Sequence, residues 1–199
     1  EHQRRAAQIE LRAVLDLVTG FGGLLVVDEA YGQFAPWSAL ELVSDDRPLV
    51  VTRTFSKTWS MAGARLGYAI GPTWLVSALQ AVALPYHLDA LKQRAGEIAL
   101  DYADHMHRRV SALVEERGRV AAGLAELAVD QWPSGANFIL FRPRDRSGPE
   151  VWQALVDRSV LVRNCASWPR LDGCLRVTLG TPEENSAFLA ALAEILEEA

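Results

Sequence analysis

The sequence predicts an α/β protein in which a mostly parallel sheet is followed by a smaller α+β domain. Short continuous apolar runs at 24–27, 49–52 and 66–70 have the pattern of strands covered on both faces, and helices or long connections separate them. Strands of this kind are typical of parallel sheets. The second half has the predicted order helix, strand, helix, strand, strand, helix, which indicates an α+β unit. We therefore expect two domains, residues 1–103 and 104–199.

Apolar residues at helical spacing predict the helices. The first half is expected to contain helices over 3–18, 73–82 and 89–102, and glycines end the first of them. The remaining predicted elements are helices over 105–127, 149–158 and 182–197, and strands over 137–141, 160–163 and 174–178.

Composition excludes several classes of protein. The 199 residues are 50% hydrophobic and 23% charged, as in an ordinary globular protein, and the formal charge of -5 is spread without a basic block. Nucleic acid is therefore not an expected partner. The apolar runs are far shorter than the roughly 20 residues of a membrane helix, so no membrane association and a cytoplasmic location are expected. The two cysteines are expected to be free thiols, and no metal site is predicted.

Lys57 is one of only two lysines among the 20 basic residues. Where positive charge is needed, this sequence almost always uses arginine. An ammonium that is desolvated or placed beside other cations can lose its proton and become a nucleophilic amine, whereas a guanidinium keeps its proton. Lys57 is therefore a candidate for covalent chemistry, with a surface lysine in a loop as the alternative.

Asp28 ends the first predicted strand, and Tyr31 follows it by three residues. Ligands in parallel sheets bind at the carboxyl ends of the strands. The Asp28 carboxylate could bind a metal, cap the following helix, or form a hydrogen bond with a protonated ring nitrogen. Tyr31 could turn its hydroxyl toward the same crevice.

Polar groups around Lys57 are suited to a phosphate dianion. Thr54 and Ser56 offer two hydroxyl groups, and Arg65 offers a fork of N–H donors. An amine, a phosphate-binding group and a carboxylate at neighbouring strand ends are what pyridoxal phosphate requires.

Sequence motifs along essentially the whole chain resemble those of one enzyme family. They are Asp-Glu-Ala-Tyr at 28–31, Ser-Lys at 56–57, Ala-Gly-Ala-Arg-Leu-Gly-Tyr at 62–68, Leu-Pro-Tyr-His-Leu at 84–88, Ser-Gly-Ala-Asn-Phe at 134–138, and Gly-Cys-Leu-Arg-Val-Thr-Leu-Gly-Thr-Pro-Glu-Glu-Asn at 173–185. This set resembles the signature of the fold-type I aminotransferases and, in its details, the histidinol-phosphate aminotransferase subfamily.

The resemblance implies pyridoxal 5'-phosphate as cofactor. Lys57 would bond to it covalently and then move the proton between the substrate α-carbon and the cofactor. Asp28 would pair with the pyridine nitrogen, and Tyr31 would form a hydrogen bond with the phenolic oxygen of the ring. The phosphate would be bound by Ser56 and Arg65, with Thr54 as a weaker addition.

The same resemblance implies a substrate and its binding residues. Arg176 matches the arginine that receives the substrate anion, and Arg163 matches a second one, with a surface salt bridge as the alternative. Tyr86 and Asn137 also lie in matching motifs, with structural roles as the alternative. The implied reaction converts histidinol phosphate and 2-oxoglutarate to imidazole acetol phosphate and glutamate, in histidine biosynthesis, by a homodimer.

The chain departs from the family pattern because no counterpart of the first half of the large domain is present. Residues 1–103 would then be the C-terminal part of the cofactor-binding large domain, and residues 104–199 the small domain. Taken alone, such a chain is expected to bind the cofactor poorly, since its sheet would have unpaired edges. The alternatives are therefore an incompetent fragment or partner subunit, and a threonine-phosphate decarboxylase or aromatic aminotransferase of the same fold.

Overall fold

Contacts within the chain form two units, which the computed structural model describes over residues 2–198, with side chains from residue 8 onward. Unit 1 is Glu1–Arg109 and unit 2 is Val110–Ala199. The division lies within a long helix, Ala103–Ala125. The sequence places the domain boundary near the beginning of the same helix.

Unit 1 contains three helices and three strands in its described residues. They are α1 (His2–Gly20), β1 (Leu25–Asp28), β2 (Leu49–Thr54), β3 (Gly67–Ile70), α2 (Thr73–Val82) and α3 (Ala90–Leu100). The predicted helix over 73–82 is confirmed to the residue, and α1 ends where Gly22 takes a positive φ of 66° that glycine adopts without strain. The first side chains of the helix predicted over 3–18 lie outside the described residues.

The sheet of unit 1 has the order β1-β2-β3 and is mixed. β1 and β2 are parallel, with Asp28 beside Thr52, as the sequence predicts. β3 instead runs antiparallel to β2, with Thr54 opposite Gly67. Residues 55–66 connect the two strands as a loop with one short helical turn, Ala62–Ala64, and not as the crossover helix that usually joins parallel strands.

The prediction that β1 is covered on both faces is wrong for the described residues. Leu25 and Val27 face the small core of Leu15, Leu42 and Leu49. Val26 points to the opposite face and is 57% exposed. The continuous apolar run therefore has one covered and one uncovered face.

Unit 2 is an antiparallel sheet with helices packed on it. Its elements are α4 (Ala103–Ala125, which begins in unit 1), β4 (Val129–Gln131), β5 (Phe138–Pro143), α5 (Gly148–Asp157), β6 (Arg163–Asn164), β7 (Leu175–Thr178) and α6 (Pro182–Glu197). The sheet order is β4-β5-β7-β6, and each pair of neighbouring strands is antiparallel. The sequence does not predict β4, and β6 is two residues long and shares only Arg163 with the strand expected over 160–163.

A continuous core joins the sheet of unit 2 to its helices. Phe141 and Phe188 pack edge to face with ring centroids 5.7 Å apart, and Leu192 is completely buried beside them. Helix α6 begins with a capping box, in which Thr181 and Glu184 each accept a backbone N–H of the other.

Cys165 and Cys174 are free and buried. No helix in the described part of the chain combines the length and apolarity needed to cross a membrane.

Candidate functional site

Lys57 lies on the connection between β2 and β3, residues 55–66, which we call the Lys57 loop. Phe55 anchors this loop: its ring is buried and lies 5.5 Å from the ring centroids of both Trp59 and Tyr68. The Phe55 N–H donates to the carbonyl of Leu66, and its carbonyl accepts the N–H of Met61. The loop is thus closed at its base, while Lys57 is exposed at its tip.

Two residues of the Lys57 loop have left-handed backbone conformations that non-glycine residues rarely adopt. Ser60 has a φ of 56° and Arg65 a φ of 52°. Residues held in this region cost about 1–3 kcal/mol each and persist where surrounding contacts fix them. Here Arg109 donates a hydrogen bond to the Ser60 hydroxyl, and the turn Ala62–Ala64 ends at Arg65. The loop is therefore held in one shape by contacts at both outliers.

The structure brings Lys57 to Tyr31. The Lys57 Nζ lies 5.0 Å from the centroid of the Tyr31 ring, on its face, which is within the range of a cation–π contact. Among the described residues, no carboxylate forms an ion pair with Lys57. The amine therefore lies against an aromatic face and remains accessible to an incoming group.

The three residues predicted to bind a phosphate lie together. Arg65 Nη1 donates to Ser56 Oγ at 3.5 Å and to the carbonyl of Ala62 at 3.2 Å. Thr54 Oγ1 accepts the Ser56 N–H at 3.0 Å and donates to the carbonyl of Leu66 at 3.3 Å. Because these bonds already use the Thr54 hydroxyl, Ser56 and Arg65 have more capacity for a further ligand.

Asp28 lies at the carboxyl end of β1 and is exposed. Its Oδ1 accepts the N–H of Ala30 at 2.9 Å, which is the local capping bond that carboxylates form at the start of a turn. Among the described residues, no donor is bound to Oδ2. Asp28 therefore caps the turn through Oδ1, and its Oδ2 can still accept a hydrogen bond from a ligand.

Two side-chain bridges join residues 28–33 to β2 and the Lys57 loop. Thr58 Oγ1 donates to Gln33 Oε1 at 2.6 Å. Arg53 Nη2 forms an ion pair with Glu29 Oε2 at 2.8 Å, and both side chains are largely buried. Sequence reasoning gave these residues no role. The available signal was a charged residue next to each candidate residue: Glu29 follows Asp28, and Arg53 precedes Thr54 at the end of an apolar strand.

In unit 2, Arg163 and Arg176 are directly opposite each other on β6 and β7. Side chains of such a pair share one face of the sheet, and two like charges there are destabilising unless an anion lies between them. The Arg176 guanidinium lies 4.8 Å from the centroid of the Phe138 ring, and its buried Nε has no partner among the described residues. A buried donor of this kind costs about 1–3 kcal/mol until it binds an acceptor.

The charges of both arginines affect the pKa of the Cys165 thiol. Burial raises its pKa, and the positive charges of Arg176 and Arg163 partly oppose that rise. The two guanidinium groups therefore act on one region of unit 2.

The structure does not join the other two predicted substrate residues, Tyr86 and Asn137, to Lys57 or to the two arginines through any hydrogen bond among the described residues. Tyr86 is 99% exposed and has a φ of 58°. Asn137 contributes its carbonyl, which accepts the N–H of Leu179 at 2.9 Å and so continues the pairing of β5 with β7. Both remain predictions as substrate residues.

Asn185 is a further residue to which sequence reasoning gave no role. Its buried side chain accepts the Gly180 N–H at 2.9 Å and donates to the Gly180 carbonyl and to Glu116. It thereby fixes the chain just after β7, the strand that carries Arg176. This function explains why asparagine ends the motif at 173–185.

Comparisons with known proteins identify the family of the chain. The family model described as aminotransferase class I and II matches residues 6–192. The chain belongs to this family. Histidinol-phosphate aminotransferase of Mycolicibacterium smegmatis is 45% identical over 188 residues, covering 94% of this chain and 48% of the relative. The chain spans about half the length of the curated relatives it matches.

Solved structures confirm the predicted fold class. Histidinol-phosphate aminotransferase of Clostridium acetobutylicum superposes with a TM-score of 0.85 at 23% identity, covering 94% of this chain and 58% of that one. L-threonine-O-3-phosphate decarboxylase of Porphyromonas gingivalis gives 0.82 at 22% identity, covering 95% and 59%. At these identities the likeness concerns the fold alone, so it does not separate a transferase from a decarboxylase.

Proposed function

We propose that the protein is a pyridoxal-phosphate-dependent aminotransferase that transfers the amino group of histidinol phosphate to 2-oxoglutarate. The observation that carries this proposal is the Lys57 loop, where an accessible amine lies against Tyr31 and shares its loop with Ser56 and Arg65. The similarity to the Mycolicibacterium smegmatis relative supports the choice of substrate. Unit 1 would be part of a cofactor-binding domain and unit 2 a small substrate domain of a cytoplasmic homodimer.

The donor set of unit 1 fits pyridoxal phosphate. Ser56 and Arg65 can bind its phosphate dianion, since a guanidinium and a hydroxyl are preferred phosphate donors. Asp28 has a carboxylate oxygen without a described donor, which suits a protonated ring nitrogen. When bound, the cofactor supplies a ring that accepts the electron pair left at the substrate α-carbon.

Lys57 performs the proton transfer in this proposal. Its Nζ is the basic atom of the loop tip, and it would take the proton from the substrate α-carbon and return it at a neighbouring carbon. The Tyr31 ring centroid lies 5.0 Å from that nitrogen, and the Tyr31 hydroxyl would donate to the phenolic oxygen of the cofactor. The Asp28 carboxylate would keep a proton on the ring nitrogen.

Arg176 and Arg163 would bind the anionic part of each substrate. The facing guanidinium groups and the unpartnered Nε of Arg176 provide more positive charge and donors than the described protein groups use. A carboxylate or a phosphate would satisfy both. The same pair would thus receive the carboxylate of glutamate in one half-reaction and the phosphate of histidinol phosphate in the other.

A substrate panel tests the proposal. The native protein with pyridoxal phosphate and 2-oxoglutarate is offered histidinol phosphate, phenylalanine or threonine phosphate, and glutamate and carbon dioxide are measured. We expect the fastest glutamate formation with histidinol phosphate. Carbon dioxide release from threonine phosphate without an acceptor would establish the decarboxylase instead, and a preference for phenylalanine would establish the aromatic aminotransferase.

An incompetent fragment or partner subunit is the second candidate. The exposed Val26 on edge strand β1 and the match to about half of each relative favour it. Isothermal titration of this chain with pyridoxal phosphate separates the two candidates. Binding together with transamination by the chain alone would exclude the fragment, whereas binding only after addition of a second polypeptide would favour it.

A further inference from the structure

We propose that Glu29 and Arg53 are positioning residues for the cofactor site, an inference that rests on the proposed function. The Glu29–Arg53 pair fixes the end of β1 against the end of β2. Asp28 and Tyr31 are thereby held at a set distance from the Lys57 loop. Neither Glu29 nor Arg53 needs to touch the cofactor for this purpose.

The register of the strands places the pair directly behind the candidate site. β1 and β2 pair up to Asp28 and Thr52, and the Glu29 N–H continues the ladder by donating to the Thr52 carbonyl at 2.8 Å. Side chains alternate between the two faces of a sheet. Glu29 and Arg53 therefore share one face, and Asp28 and Thr54 share the other.

The Glu29 carboxylate is fully used by its surroundings. Oε1 accepts the Ala39 N–H at 2.6 Å, and both oxygens accept from Ser38 Oγ at 3.0 and 2.8 Å. Arg53 donates to Oε2 through Nε at 3.1 Å and through Nη2 at 2.8 Å. The Glu29 side chain also packs directly against Gly32, where an added Cβ would lie only 2.7 Å from the Glu29 Cβ.

Such a cluster is better suited to fixing the positions of neighbouring residues than to raising the stability of the fold. Replacing a buried ion pair with apolar residues of similar size is often neutral or stabilising, so the pair does not need to exist for folding alone. The two Arg53 hydrogen bonds that converge on Oε2, together with the Ala39 N–H on Oε1, fix both the position and the direction of the carboxylate. The residues that flank the pair on each strand are Asp28 and Thr54, which are both candidate site residues.

A double-mutant cycle in the native protein tests this role through Asp28. The variants are Glu29→Gln, Asp28→Asn and the double variant, and the readout is the dissociation constant of pyridoxal phosphate. If Glu29 acts by positioning Asp28, Glu29→Gln weakens binding about tenfold or more in the wild-type background, but less than about twofold once Asp28 is already changed. Equal effects in the two backgrounds would overturn the proposal.

Glu97→Gln is the matched control. Glu97 also pairs with an arginine in unit 1, Arg94, at 2.9 Å, but both side chains are exposed, so this pair measures the effect of an ion pair that is not buried. We expect a change in cofactor affinity of less than about twofold. Arg53→Lys provides a second route to the same result, since it keeps the charge and removes the fork. Wild-type affinity in both Glu29→Gln and Arg53→Lys would overturn the proposal.

Amide hydrogen exchange in the cofactor-free protein provides a readout that does not depend on the loaded enzyme. Glu29→Gln should accelerate exchange of the Ala30 and Gly32 amides by about tenfold relative to those of α2. Unchanged exchange at both amides would overturn the positioning role. Failure of the wild-type protein to bind pyridoxal phosphate would instead overturn the proposed function, and the exchange result would still decide the role of the pair.

Discussion

Unit 2 buries a continuous core between its sheet and its helices, whereas unit 1 has a small core and exposes many large apolar side chains. Unit 2 joins α4, α5 and α6 to three of its strands through a single cluster. The described core cluster of unit 1 joins α1 and β2 through Leu15, Leu42 and Leu49, while Val26 and Phe21 remain exposed. Large exposed apolar surfaces mark sites of interaction. The difference teaches that unit 2 can be treated as a self-supporting body, while the chemistry of unit 1 depends on contacts at strand ends.

The sharpest test of this contrast compares two identical substitutions. Leu192→Ala removes a completely buried side chain from the core of unit 2, and we expect a loss of about 4 kcal/mol in the free energy of unfolding. Leu17→Ala changes a 61% exposed side chain of unit 1, and we expect less than about 0.5 kcal/mol. Denaturant titration followed by hydrogen exchange of each unit measures both values. Similar losses in the two variants would break the comparison.

Arg53→Met tests whether unit 1 relies on polar contacts in place of a large core. It leaves the Glu29 carboxylate buried without its ion-pair partner, and we expect a loss of about 3 kcal/mol. Arg94→Met, which breaks the exposed pair with Glu97, is the control and should cost less than about 0.5 kcal/mol. The measurement is the urea midpoint of the unfolding of unit 1. A loss as small as that of the control would mean that the buried pair contributes nothing to unit 1.

Thr181→Ala removes the capping box of α6 in unit 2. Since an N-cap hydroxyl contributes about 1 kcal/mol, we expect a loss of that size. Ser186→Ala, in the first turns of the same helix, is the control and should be nearly neutral. Thermal unfolding of both variants measures the difference. A loss above about 3 kcal/mol would show that the cap also supports the chain after β7, which would make unit 2 less dependent on its core.

The smallest expected effect is an acid sensitivity of unit 2. The Arg119 guanidinium and then the Asn185 amide hold the pKa of Glu116 below its ordinary value of 4.5. A group whose folded pKa is lowered contributes stability that is present above its unfolded pKa and is lost as the pH falls through the folded pKa. Glu116→Gln should therefore reduce the loss of stability below pH 4.5. Identical acid unfolding curves for the wild type and Glu116→Gln would contradict this assignment.

Local sequence signals predicted the elements well where they were strong. The helices over 73–82 and 182–197 begin after Pro72 and Thr181, and the structure confirms both ranges. β4 was missed because it has three residues, and two of them are polar. The direction of β3 was not predicted, because it depends on the path that the Lys57 loop takes between β2 and β3.

Contacts between distant residues were beyond the sequence patterns. Glu29 and Arg53 are 24 positions apart, and only the parallel register of β1 and β2 brings them together. The sequence predicted that Tyr31 turns toward the crevice at the neighbouring strand ends, whereas the stacking of the Lys57 amine on the Tyr31 ring, at 5.0 Å, was not predicted. Arg163 and Arg176 lie opposite each other only because β6 pairs with β7. A strand of two residues leaves no pattern in the sequence from which this pairing could be predicted.

The covalent attachment site of the cofactor tests the central claim most directly. The native protein is incubated with pyridoxal phosphate, reduced with borohydride, digested and examined by mass spectrometry. Lys57 and Lys92 are the two lysines of the chain, and Lys92 serves as an internal control because it pairs with Asp89 at 3.1 Å. We predict a pyridoxyl group on Lys57 and its loss in Lys57→Arg. Labelling of Lys92 in place of Lys57, or no labelling of either, would contradict the account.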